Sequence, residues 1–66
     1  MATPEEDAID TAYREAVAQM YTMALSNVTS VSNEAREGEI ADATGRFRVG
    51  LGLARRVRDA LKQVVR

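Results

Sequence analysis

Ile40, Ala43, Phe47, Gly50, Ala54, Val57, Leu61 and Val64 recur at alternating three- and four-residue spacing. On a slightly underwound helix that spacing sets all eight on one seam, and such a seam is buried only against another helix. The second half of the chain is therefore expected to be a helix that requires a helical neighbour.

The first half offers one. Thr3 and Glu6 stand in the relation of a capping box, Pro4 sits at the first helical position, and Glu5, Glu6 and Asp7 complement the positive end of the helix dipole. Behind them Ile9, Ala12, Tyr13, Ala16, Val17, Met20, Met23 and Ala24 form an apolar band at helical spacing, with Asp7, Thr11, Arg14, Glu15 and Thr22 on the other side. The pattern weakens from Ser26 to Asn33, where β-branched residues and side chains that compete for backbone hydrogen bonds accumulate. Ser32 is the expected N-cap of the next helix, with Glu34 and Glu37 in its first turns. A short connection between two long helices makes them antiparallel. The expected fold is thus all-α, a single antiparallel helical-hairpin domain over residues 1–66. Helix 1 covers about 4–27, a turn about 28–32 and helix 2 about 33–65.

One stretch competes with this reading. From Arg46 to Leu53 the apolar residues alternate as in a strand. The heptad continues on both sides of the stretch and no partner strand is visible, which favours helix. Gly45, Gly50 and Gly52 would each cost a helix about 1 kcal/mol relative to Ala, so a break or kink near Gly45 is expected. Gly38, Gly45 and Gly52 also recur at heptad spacing. Together with Ala8, Ala12 and Ala16 they suggest close helix-on-helix packing, within the hairpin or between chains.

A chain of 66 residues buries only roughly 60% of the surface it exposes unfolded, and with no Cys it has no disulfide or Cys-ligated metal to reinforce it. Association is the remaining support: two hairpins would complete a four-helix bundle. The opening Met1-Ala2-Thr3-Pro4-Glu5-Glu6 lacks the basic-then-apolar character of a secretory signal, and no apolar run approaches the ~20 residues of a membrane span. A cytoplasmic location is the expectation.

The net charge of -1 conceals a strong segregation. Residues 1–28 carry five acids and one base, residues 29–45 four acids and one base, and residues 46–66 one acid and seven bases. Folding the hairpin would lay Asp7, Asp10 and Glu15 beside Arg55, Arg58 or Lys62, and the same asymmetry is able to orient two protomers. Arg48, Arg55 and Lys62, at heptad spacing, form a basic ridge suited to an anionic partner. A partial helix-turn-helix pattern, with Ile40 and Ala41, a turn at Gly45, then Leu51 and Ala54, makes nucleic acid an alternative partner. It is the less favoured one, because Arg46 follows the turn glycine and Gly50 and Gly52 would weaken a recognition helix.

Other fragments carry less. Gly50-Leu51-Gly52 has Arg55 where a dinucleotide loop needs its third glycine, and the chain is too short for the surrounding fold. There is no His, which removes the commonest general base and the His ligands of di-iron bundles. Glu34, Glu37 and Asp42 suit a helix start better than a catalytic cluster. No catalytic residue, cofactor or metal site is expected. The seam instead suggests a protein interaction or assembly module, pairing with itself or with another helical protein. A third expectation is a small inhibitor or co-chaperone completed by its target.

Overall fold

A computed structural model describes residues 2–66. It is an antiparallel pair of helices: α1, Pro4–Thr29, and α2, Arg36–Val65, joined by a turn and a short 3-10 segment, Asn33–Ala35. No strand occurs among the described residues.

The start of α1 follows its residues. The Thr3 hydroxyl accepts from the Glu6 N–H at 3.1 Å, and the Glu6 carboxylate accepts from the Thr3 N–H at 3.4 Å, so two otherwise orphaned donors are satisfied. The helix runs two residues beyond the expected end. Thr29 and Ser30 donate their hydroxyls to the Ser26 and Asn27 carbonyls at 3.0 and 2.9 Å, so the side chains expected to break the helix close its last turn instead. The α-helix expected from about residue 33 begins at Arg36, after the 3-10 turn; Ser32 is extended before that turn, but its side chain makes no cap hydrogen bond. The Ser32 backbone carbonyl accepts from the Ala35 N–H at 3.1 Å in its place.

Helix α2 is continuous from Arg36 to Val65, which corrects the expected break near Gly45. The alternating stretch from Arg46 to Leu53 is helical throughout, so neither a helix-turn-helix centred on Gly45 nor a loop at Gly50-Leu51-Gly52 exists. Heptad pairing with α1 outweighs the propensity cost of the glycines.

The glycine stripe also packs differently from the expectation. A Cβ placed on Gly38, Gly45 or Gly52 meets nothing within 4 Å, so these three lie on the outer face of α2 and mediate no close approach within the hairpin. Gly50 does: a Cβ there would come 2.8 Å from the Met20 sulfur. At Gly50, near the middle of the rod, the seam glycine thus lies directly against a methionine of α1.

Inside this hairpin the core is very thin. Ala43, 5% exposed, is the one buried apolar residue among those described. Around it Phe47, Gly50, Leu51 and Ala54 on α2, and Ile9, Tyr13, Ala16, Val17, Met20, Ala24 and Val28 on α1, are half-buried. The rod measures 49 × 15 × 13 Å, with a radius of gyration of 15.3 Å against roughly 11 Å for a compact domain of this length.

Candidate protein interface

The heptad seam splits along its length. Ala43, Phe47, Gly50 and Ala54 face α1, whereas Ile40, Val57, Leu61 and Val64 are exposed, Val57 by 57% and Val64 by 80%. Past Ala54, Arg58, Lys62 and Val65 become the partly covered positions. A straight helix with 3.6 residues per turn drifts about 20° per heptad from a 3.5-residue repeat. By the C-terminal end of α2 that drift has rotated Val57 and Val64 out of the intrachain contact.

Successive helical residues turn by about 100°, which fixes what flanks the contact on each side. On one side of the open end, Ala8, Ile9, Ala12, Tyr13 and Ala16 of α1 and Leu53, Val57 and Leu61 of α2 line an apolar groove of about 490 Å³. Met23 and Val49, both 65% exposed, extend this side toward the turn. The opposite side of the open end is polar. There Lys62 Nζ meets Asp10 Oδ1 at 2.7 Å and Arg66 Nε lies 3.6 Å from Glu6 Oε2. Between the two sides, the Arg58 guanidinium stacks over the Tyr13 ring at 4.6 Å, and Arg55 Nε donates to the Tyr13 hydroxyl at 3.4 Å. A second apolar groove, of about 380 Å³, lies near the turn on the ion-paired side, between Tyr21, Leu25 and Val28 of α1 and Ile40, Thr44 and Phe47 of α2.

These contacts sort the charged candidates. Of the expected internal pairs, Asp10–Lys62 forms, while Asp7 and Glu15 make no ion pair among the described residues. Glu6–Arg66 was not legible in advance, because it depends on how far the two ends extend past one another. Within the basic ridge, Lys62 is engaged by Asp10 and Arg55 touches Tyr13, leaving Arg48 as the ridge residue that makes no side-chain ion pair or hydrogen bond among those described.

The hydrogen bond from Lys62, reinforced by the charges of Lys62, Arg14 and Arg58, holds the Asp10 carboxyl below its ordinary range, against a smaller opposing effect of desolvation. A carboxylate with a lowered folded pKa stabilises the fold above its unfolded value, near pH 4, and loses that contribution as pH falls through the folded value. The thermal midpoint of the wild-type chain is therefore expected to fall as pH drops below about 4, with a shallower fall for Asp10→Asn. Superimposable acid limbs would show that the pair does not contribute.

The chain matches no protein-family model, and neither a curated protein nor a solved structure matches it.

Proposed function

We propose that this chain is a non-enzymatic interaction and assembly module, completed by a helical partner on the apolar side of the open end. The observation that carries this reading is surface left over by folding. A compact monomer of 7.2 kDa exposes roughly 4,100 Å², whereas this hairpin exposes 5042 Å². The excess of roughly 900 Å² is close to the ~800 Å² that each partner gives to an interface of standard size. The exposed surface includes a contiguous apolar row, Leu53, Val57, Leu61 and Val64, beside Ala8 and Ala12.

Nucleic-acid binding through Arg48, Arg55 and Lys62 has less support, since Lys62 is paired with Asp10 and the basic end of α2 lies against the acidic end of α1. No helix is long and apolar enough to cross a membrane among the described residues.

The test compares the native chain with Leu53→Ser/Val57→Ser in extracts of the cells that make it. On an isolated hairpin, exposed substitutions of this kind have little effect. In an assembly module they remove the contact, so the native chain is expected to elute well above the size of a single hairpin and the variant at that size. Co-elution of both at hairpin size would overturn the reading.

A further inference from the structure

We infer that the occupant of the apolar side is a second copy of this chain, paired in parallel about a two-fold axis along the rod so that both open ends lie at the same pole. This rests on the interaction reading above and specifies its partner.

Size, shape and charge all favour the second copy. The surplus surface matches one share of a standard interface. An isologous contact also has to be self-complementary, with each element of the face meeting a different element of its copy. The apolar side meets that condition. The α2 row of Leu53, Val57, Leu61 and Val64 is large and projecting, and the α1 row of Ala8, Ala12 and Ala16 is small. A two-fold axis along the rod sets the α2 row of each copy against the α1 row of the other.

The level of the residues along the rod is fixed by contacts within one hairpin. Asp10 meets Lys62, Tyr13 meets Arg55 and Arg58, and Met20 meets Gly50. By that register Ala12 lies between the levels of Val57 and Leu61, and Ala16 between those of Leu53 and Val57. Each small residue thus opposes the gap between two large ones, the arrangement of a knob entering a hole.

The pairing of large with small rows selects the direction, and charge agrees with it. In the parallel arrangement the acidic first half of α1 lies beside the partner's basic last half of α2, repeating the complementarity already present within one hairpin. With the copies reversed about a two-fold across the rod, α1 would face the uncharged second half of the other α1, and the large α2 row would meet its own copy instead of the small α1 row. One pair is specific. Glu15 and Arg56 are both exposed, make no ion pair among the described residues, and flank the apolar side on its outer edges at the same level of the rod. Across the two-fold they face each other twice per dimer. On the ion-paired side of the open end, Asp10–Lys62 and Glu6–Arg66 occupy the equivalent positions, so that side offers no comparable apolar row.

The experiment uses the purified full chain, with mass measured by light scattering over a wide concentration range. A dimer is expected, with Leu53→Ser/Val57→Ser shifted to monomer. Glu15→Arg and Arg56→Glu are each expected to weaken dimerisation about tenfold at low salt, and the double reversal to restore it to within about twofold. A nitroxide on Gln63→Cys reads direction: an interlabel distance within roughly 30 Å fits two hairpins with open ends together, whereas one approaching the 49 Å length of the rod overturns the parallel arrangement. A dimer indifferent to the Leu53/Val57 substitutions, or reversals that do not rescue one another, overturns the assigned face. A purified chain that stays monomeric at every concentration overturns the second copy as occupant. The interaction reading is then decided separately by elution in extracts, where a large particle that loses Leu53→Ser/Val57→Ser points to a different protein.

Discussion

Replacing Phe47 with Asp is expected to unfold the hairpin at 25 °C. Phe47 is the one large aromatic on the α1-facing stripe of α2. It lines the groove near the turn with Ala24 and Ala43, and a smaller cleft with Met20 and Met23. Truncating a fully buried Phe costs about 3–5 kcal/mol; half-buried Phe47 loses a share of this, and a carboxylate set against apolar neighbours adds to it. A chain of 66 residues has only about 3–10 kcal/mol of stability in total. Far-ultraviolet circular dichroism should show most of the helical signal lost. A variant with wild-type helicity and melting would show that the turn half is held together by something other than this contact.

The opposite outcome is expected on the outer face of α2. Changing Gly38, Gly45 and Gly52 together to Ala should raise stability by about 2–3 kcal/mol, because each gains about 1 kcal/mol of helix propensity and an added Cβ meets nothing. The sites stand seven residues apart, roughly 10 Å along the helix, so their effects should add. The melting midpoint should rise by roughly 10–20 °C. Gly50→Ala is the internal control: its Cβ would press on the Met20 sulfur at 2.8 Å, so its gain is expected to be smaller or absent. A midpoint lowered by the triple change would mean that the glycine face is itself a contact surface in the assembled protein.

Much of this architecture was legible because both helices carry signals that act locally. The capping box at Thr3 and Glu6 starts α1 as its spacing requires, and the band from Ile9 to Ala24 faces α2 apart from Ala12 and Met23 at its edges. Errors arose where local preference and tertiary contact disagree. Glycine propensity argued for a break near Gly45, yet seven-residue periodicity through that stretch keeps α2 continuous. The heptad spacing also gave no sign that its eight residues would part into two groups. Four of the eight positions face α1 and four are exposed, because helix drift moves the contact off a strict heptad, to Arg58, Lys62 and Val65 past Ala54. Charge was legible as segregation between the halves. Which acid meets which base was not, since Asp10–Lys62 and Glu6–Arg66 depend on the register of the two helices.

The Glu6–Arg66 contact closes the rod at the pole where α1 begins and α2 ends, with the turn at the far end of a 49 Å long axis. Anything anchored near residue 3 or residue 66 is therefore held at one pole, and the Ser30–Ser32 tip points away from it like the nib of a stylus. In the parallel pair two such nibs stand side by side, and the grooves bounded by Tyr21, Leu25 and Ile40 lie just behind them. Such a pair would be two-pronged, with a doubled tip held at a fixed distance from the pole where the chain ends meet.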